Sequence, residues 1–171
     1  RNVLSFYELY KEHGDGRNPK LENILDSWIV SRLNETLEEQ TTALNGYELS
    51  VGARCLQGFV TDLSTWYIRR SRDRMKSEGE DRQEALATMR VVLETFSKMI
   101  APYMPYLGEV IYQGVKGGFD GSDERLSVHL ESWPKSGMVQ ADVLEKMGQA
   151  RSIVSRALDV REEGGRPIKQ A

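Results

Sequence analysis

The chain has 171 residues, of which 39% are hydrophobic and 29% are charged, and this length and composition suit one domain with a well-buried core. Its formal net charge of −3 argues against diffuse binding of polyanions, so any contact with a nucleic acid must be local. The single cysteine, Cys55, excludes an internal disulfide and a cysteine-rich zinc site, and no apolar run approaches the roughly 20 residues of a membrane span.

The N-terminal residues predict a short apolar helix followed by a loop. Val3 to Tyr10 is rich in large apolar and aromatic side chains that have few evident partners, so we expect this helix to pack partly against a domain outside the chain. Because the chain begins at Arg1 with a segment that resembles the end of a preceding one, we expect it to be a fragment of a larger protein. Glycines and a proline predict a loop over His13 to Pro19.

Two long helices are predicted next. The first runs from about Ile24 to Leu44, with Asn23 as its N-terminal cap and Asn45-Gly46 at its end. The second runs from Ser50, a candidate cap, to about Ser77. On a wheel of about 100° per residue, its apolar side chains share one side. They are Leu56, Phe59, Val60, Leu63, Trp66 and Tyr67.

The most unusual stretch is the C-terminal part of this second helix. From Arg69 to Lys76, five residues are basic and one is acidic, which gives a local net charge of +4 within eight residues. The same wheel places Arg69, Arg72 and Lys76 together on a polar face. It places Arg70 and Arg74 at the edge of the apolar face.

Two interpretations of this cationic stripe remain open from the residues alone. Guanidinium groups pair with phosphate oxygens, and rings or guanidinium planes stack on unpaired bases, which favours a contact with RNA. Alternatively, the stripe is a solvated helix end whose basic side chains complement the helix dipole and pair with acids of neighbouring helices.

The third long helix is predicted to open with a capping box formed by Asp81 and Glu84 and to run to Ile100. Pro102 then prevents its continuation. Pro105 suits the first turn of a shorter helix that extends to about Gln113.

The rest of the chain predicts a glycine-rich loop over Gly114 to Asp123, a short extended segment over Ser127 to Leu130, and a last amphipathic helix. That helix runs from about Val139 to Glu163 and is ended by Gly164-Gly165. Consecutive long helices joined by short polar turns predict an all-α fold, an antiparallel helical bundle of about five helices with one short extended segment.

Little in the chain points to catalysis. Gly117, Gly118 and Gly121 lack the spacing and the preceding strand of a phosphate-binding loop. His13 and His129 do not lie at ligand spacing with another metal-binding side chain. We therefore expect no metal site and no catalytic residue in this chain.

Four stretches carry a resemblance to a known family. They are residues 25–34 (LDSWIVSRLN), 63–72 (LSTWYIRRSR), 100–107 (IAPYMPYL) and 127–134 (SVHLESWP), and together they span roughly two-thirds of the chain. In this order and spacing they resemble isoleucyl-tRNA synthetases. The related valyl and leucyl enzymes share the bundle and part of the second stretch, whereas the last stretch favours the isoleucyl enzymes.

The resemblance implies the helical anticodon-binding domain of a class I aminoacyl-tRNA synthetase. The parent would be an isoleucine-tRNA ligase that uses ATP and magnesium through an aminoacyl-adenylate, and this fragment would lack its catalytic motifs and editing domain. Residues 1–19 would leave the catalytic domain, 20–135 would form the bundle, and 136–171 would hold the C-terminal helix and the start of a following region. We expect a cytoplasmic monomer that binds isoleucine-accepting tRNA, the catalytic domain of its own chain and no membrane.

With this resemblance, the cationic stripe is interpreted as a tRNA contact. The predicted tRNA-binding residues are Arg69, Arg72, Lys76, Arg70, Arg32 and Trp66. The first three are expected to contact phosphates, and Arg32 is expected to supply a secondary contact from the first helix. For Arg70, an internal ion pair and a contact with RNA are equally open. The wheel position of Trp66 favours burial in the core over contact with a base.

A hypothesis of a different class is a helical protein-interaction scaffold. The acidic overall charge and the apolar N-terminal segment favour it. It predicts a protein partner that docks on Phe6 and Tyr7 and no preference for tRNA over other RNA.

Overall fold

The structure is a computed structural model that describes residues 2–11, 17–116 and 127–165, and within these ranges the fold is all-α, as predicted. Helix α3, a π-helical segment and α4 follow one another without a break, so these ranges contain six helical bodies where about five were predicted. The elements are α1 (Asn2–Tyr10), α2 (Ile24–Asn45), α3 (Leu49–Thr61), the π segment (Asp62–Tyr67), α4 (Ile68–Lys76), α5 (Glu80–Ile100), α6 (Pro105–Lys116), a 3-10 turn (Val128–Leu130) and α7 (Ala141–Glu163).

One of the predicted helix caps is confirmed and two are wrong. Asn23 caps α2, because its side-chain oxygen accepts a hydrogen bond of 3.0 Å from the Leu25 N–H. Ser50 lies inside α3, which starts one residue earlier without a side-chain cap. Helix α5 follows Gly79, whose φ of +96° favours glycine, and no capping box forms. The two acids predicted for that box bind elsewhere: Asp81 accepts from Arg74, and Glu84 accepts from the Lys20 N–H.

The proline corner is confirmed, but the next helix is longer than predicted. Helix α5 ends at Ile100, and α6 opens at Pro105 and continues to Lys116. Gly114 lies inside this helix at a point where α1 crosses closely, since a Cβ there would lie 2.9 Å from Leu4 Cδ1. Most of the glycine-rich loop predicted after Gly114 lies outside the described residues, as do most of the loop predicted at His13 to Pro19 and the C-terminal residues 166–171.

The short extended segment predicted over Ser127 to Leu130 is wrong beyond its first residue, because Ser127 has an extended backbone but Val128–Leu130 form a 3-10 turn. The Ser127 hydroxyl accepts from the His129 N–H, and the Glu109 carboxylate accepts from the Val128 N–H at 2.9 Å. These side chains satisfy the backbone donors locally, and the described ranges contain no strand with which the segment could pair.

Helix α1 has more partners within the chain than its sequence suggested. Leu4 and Tyr7 are buried in the common core, and α1 packs against α4, α5 and α6. Elsewhere the core joins α3 to α5, where the rings of Phe59 and Phe96 stack with their centroids 5.7 Å apart. The N-terminal helix is therefore part of the bundle.

Helix α7 is attached to the bundle through its first half only. Val143 is buried, and Met147 is partly buried against the core. In the second half, Ile153 is 68% exposed and Leu158 is 40% exposed. Within the described ranges, no helix combines the length and the hydropathy of a membrane span.

Candidate nucleic-acid interface

The helix that carries the cationic stripe is interrupted by the π segment. Three successive hydroxyl groups, those of Thr61, Ser64 and Thr65, donate to the carbonyl four residues earlier, at 3.1, 2.7 and 2.7 Å. Such back-bonding disturbs the α-helical ladder, and a π turn holds more residues than an α turn, so the side chains that follow are rotated. Asp62, the first residue of the π segment, is buried. Val60, predicted in the apolar stripe, is 41% exposed.

After the π segment, α4 presents four exposed cationic side chains. Among the described residues, none of the four has an ion pair or a hydrogen bond to a carboxylate, so their charge is not neutralised within this part of the chain. They are Arg69, Arg70, Arg72 and Lys76.

Arg74, one turn away on the same helix, has a different environment. Its guanidinium donates to both oxygens of the buried Asp26 carboxylate, at 3.1 and 2.9 Å, and to Asp81 at 2.8 Å. The Tyr67 hydroxyl donates to the same Asp26 at 2.6 Å.

Burial opposes the charged form of Arg74, but the hydrogen bonds to the two acids outweigh it and raise the pKa of Arg74 above the ordinary value. Burial, and then the charge of Asp26, raise the pKa of Tyr67. This network fastens α4 to α2 and α5.

A second ion network lies on the other side of the π segment and engages Arg32. Its Nε donates to the buried Asp62 at 3.0 Å, and a terminal nitrogen donates to Glu35. Arg151 of α7 binds the other Asp62 oxygen at 2.6 Å. Burial disfavours the charge of Arg32, but the bond to Asp62 and the charge of Glu35 prevail and raise its pKa. Arg32 therefore joins α2 to the π segment.

Trp66 lies at the edge of the core and connects this network to the exposed stripe. The Arg70 guanidinium lies 3.7 Å from the centroid of the Trp66 ring, within cation–π distance. The Trp66 Nε1–H donates to Met147 Sδ at 3.3 Å. The guanidinium of Arg151 lies 5.5 Å from the Trp66 ring and 5.6 Å from the Trp28 ring. Trp66 is thus half-buried, with α4 on one side and α7 on the other.

The other cations of the stripe lie nearer α1. The Arg72 guanidinium is 5.6 Å from the ring of Phe6, which is itself packed against Tyr10. The structure therefore keeps the predicted Arg69, Arg72 and Lys76 exposed on one helix, sets Arg70 and Trp66 together beside them, and places Arg32 in an internal ion pair.

Sequence reasoning missed Arg151 as a member of this region. It lies 85 positions after Trp66 in the printed sequence. Only the packing of α7 across α2 brings it to Asp62. An arginine on an amphipathic helix is ordinary by itself, so no local signal could have identified it.

The arrangement suits contact with a phosphate backbone. Exposed guanidinium and ammonium groups donate charge-assisted hydrogen bonds to phosphate oxygens. In the described ranges, no group of three or more histidine, cysteine, aspartate or glutamate side chains could hold a metal ion. The chemistry available at this face is binding.

Comparisons with known proteins show the family of this chain. Residues 26–171 match the family described as the anticodon-binding domain of tRNA ligase.

The chain is also similar to proteins named isoleucine–tRNA ligase. That of Clostridium tetani is 37% identical over 163 residues, covering 90% of this chain and 16% of the relative. That of Clostridium acetobutylicum is 39% identical over 164 residues, with the same coverage of 90% and 16%. That of Deinococcus radiodurans is 40% identical over 155 residues, covering 85% of this chain and 13% of the relative. The chain thus spans about one-sixth of the length of the curated relatives it matches.

Proposed function

Because this chain belongs to the family of anticodon-binding domains of tRNA ligases, we propose that it binds the anticodon arm of an isoleucine-accepting tRNA. The observation that carries the proposal is the exposed row of cations on α4, which has no carboxylate partner among the described residues. A helix surface left positively charged in an acidic chain is suited to a localised polyanion contact.

Within this proposal, Arg69, Arg72 and Lys76 contact phosphates of the arm. Arg70 and Trp66 act together, since the guanidinium already stacks on the indole. Arg32 is the weakest of the predicted contacts because its guanidinium is engaged with Asp62 and Glu35. The binding energy obtained far from the reacting groups would orient the tRNA so that its acceptor end reaches the catalytic domain.

The whole protein is proposed to be an isoleucine-tRNA ligase that acts in the cytoplasm as a monomer. Such a ligase uses ATP and magnesium to activate the amino acid. The described residues of this chain do not provide a donor set for a metal ion, and the sequence has no phosphate-binding glycine loop, so these groups do not fit this domain. We propose that the catalytic domain binds these groups and that this chain holds and orients the tRNA.

The alternatives drawn from the sequence are not favoured. The matched family is an anticodon-binding domain, and the relatives reported above are named isoleucine–tRNA ligases, not valyl or leucyl enzymes. A scaffold that docks a partner on Phe6 and Tyr7 is disfavoured by the geometry, because Tyr7 is only 5% exposed.

The experiment that tests the proposal is binding of this chain to an isoleucine tRNA and to a non-cognate tRNA, titrated over a series of salt concentrations. We expect tighter binding of the isoleucine tRNA, and a binding constant that falls steeply with salt because phosphate contacts release counterions. Equal, salt-dependent binding of both would mean that this domain supplies backbone contacts only. No binding at low salt would contradict the proposal.

A matched control is the variant Lys135→Gln, which removes one exposed positive charge distant from the stripe. Its segment lies beside the C-terminal half of α2, since the neighbouring Trp133 Nε1–H donates to Thr41 at 2.9 Å. Arg74, by contrast, binds Asp26 in the first turn of α2. We expect the variant to leave the salt dependence unchanged.

A further inference from the structure

Two arginines from different helices place their guanidinium groups close to the ring of Trp66. That of Arg70, on α4, lies 3.7 Å from the ring centroid, and that of Arg151, on α7, lies 5.5 Å from it. The Nε1–H of the same indole donates to Met147 Sδ at 3.3 Å. The indole therefore connects the last helix to the cationic stripe.

The two arginines differ in what neutralises their charge. Arg151 binds the buried carboxylate of Asp62 at 2.6 Å, whereas Arg70 is exposed and has no carboxylate partner among the described residues. Within the described ranges, the ion network around Asp62 contains two carboxylates and two guanidinium groups, so it is neutral as a whole. The charge of Arg70 lies outside this network and remains available to a polyanion.

Arg151 lies at the point where α7 leaves the bundle. Its guanidinium is 5.6 Å from the ring of Trp28 on α2, and the residues from 152 to 160 that follow it are exposed. Its acidic partner, Asp62, is the first residue of the π segment and precedes Trp66 by four positions. The ion pair therefore fastens α7 to the segment that carries the indole.

The direction of the Arg70 side chain depends on that indole. In the described ranges no acid orients Arg70, so the ring of Trp66 is the group on which its guanidinium rests. A long exposed side chain loses rotamer freedom when it binds a phosphate, and a guanidinium that is already held on a ring loses less.

We infer that Arg151 is a positioning residue for the RNA contact of Arg70 and that it acts through Asp62 and Trp66. The ion pair holds α7 against the π segment, α7 holds the indole, and the indole holds the guanidinium that binds phosphate. This inference rests on the proposed function and adds to it a part for the last helix, which strengthens binding without contacting the RNA.

The variant Arg151→Met tests the inference because it removes the charge and keeps much of the side-chain volume. The buried Asp62 would still be paired with Arg32, which lowers the risk to the fold. Arg151→Lys keeps a cation at the same position. The matched control is Arg156→Met, which removes an exposed arginine of α7 that has no ion pair among the described residues.

The first measurement is the affinity of these variants for an isoleucine tRNA over a series of salt concentrations. We expect Arg151→Met to weaken binding about threefold, the order of magnitude of the cost of ordering one long side chain. The slope against salt should not change, because no phosphate contact is removed. Arg151→Lys should recover most of the affinity, and Arg156→Met should bind as the unaltered chain does.

Combined variants separate positioning from a general loosening of the fold. In an Arg70→Met background, Arg151→Met should cost nothing further, since both changes affect the same contact. In an Arg69→Met background it should again weaken binding about threefold, because Arg69 does not rest on the indole. A general loosening would instead weaken binding by the same factor in both backgrounds.

A second measurement needs no RNA. The ring current of an indole shifts protons above its face upfield, so the side-chain proton resonances of Arg70 should lie upfield of those of Arg69 in NMR spectra. In Arg151→Met we expect them to move towards the values of Arg69. In Arg156→Met we expect them to stay in place.

Three results would overturn the inference. The first is tRNA binding by Arg151→Met that equals that of the unaltered chain. The second is an equal loss in the Arg70→Met background, which would show that Arg151 acts independently of Arg70, and the third is a spectrum of Arg70 that Arg151→Met does not change. In each case salt-dependent binding would leave the proposed function standing, whereas failure of the unaltered chain to bind the tRNA at low salt would overturn both.

Discussion

Two regions of one short helix show how the same kind of side chain acquires opposite roles. Arg74 is 14% exposed and its guanidinium is bound by Asp26 and Asp81. Arg69 and Lys76, on the same helix, are exposed and have no carboxylate partner among the described residues. The difference is set by acids on α2 and at the start of α5, not by α4 itself.

This difference separates stability from binding. A guanidinium that neutralises a buried carboxylate stabilises the fold, because removing it would leave a charge in a poorly solvated place. A cation that is exposed without a partner contributes little to stability, and its field remains available to a polyanion. Substitutions in the two regions should therefore affect different measurements.

The largest effect is expected for Arg74→Met, which keeps much of the side-chain volume and removes the charge. Among the side chains of the described residues, the buried Asp26 would retain the hydrogen bond from Tyr67 alone. We expect the free energy of unfolding to fall by about 3–5 kcal/mol, as for other broken buried ion pairs. Urea unfolding at neutral pH measures this change.

The matched control is Arg69→Met, the same substitution on the exposed face. Surface substitutions of this kind usually change the free energy of unfolding by less than about 0.5 kcal/mol. Equal stability of the two variants would show that the two regions do not differ as described.

The next effect is on RNA binding. The double variant Arg69→Gln with Lys76→Gln removes two exposed charges and should reduce the slope of log binding constant against log salt concentration by about two, roughly one for each lost phosphate contact. Its stability should match that of the unaltered chain. A slope that does not change would show that these two residues do not contact phosphate.

The sequence predicted the helices well because their signals are local. Asn23 caps α2 as expected, Pro102 and Pro105 mark the corner, and the apolar spacing indicated the long helices. The π segment was not predicted, since a regular wheel has no signal for back-bonding by three hydroxyl groups in five residues.

The site was predicted only in part for a related reason. The cationic stripe is visible in the sequence, but its division into paired and unpaired side chains depends on contacts between distant residues. Arg74 pairs with Asp26, 48 positions earlier, and Arg32 pairs with Asp62, 30 positions later. No local pattern encodes these pairs, so the wheel could place the arginines on faces but could not give their partners.

The smallest effect is expected within the network of Arg74 itself and depends on pH. The hydrogen bonds from Arg74 lower the pKa of the Asp81 carboxyl below its ordinary value. As the pH falls, the Asp81 carboxyl is protonated in the unfolded chain before it is protonated in the folded chain. The stability from this contact is therefore complete above the pKa of the unfolded chain, about 3.9, and is lost as the pH falls through the lower pKa of the folded chain. The Asp81 side chain is 58% exposed, so solvent screening limits its contribution to below about 1 kcal/mol.

We expect Asp81→Asn to be slightly less stable than the unaltered chain at pH 7, with the difference disappearing below about pH 3, as measured by urea unfolding over a pH series. A deficit that persists at low pH would mean that the carboxylate does not stabilise the network through its charge.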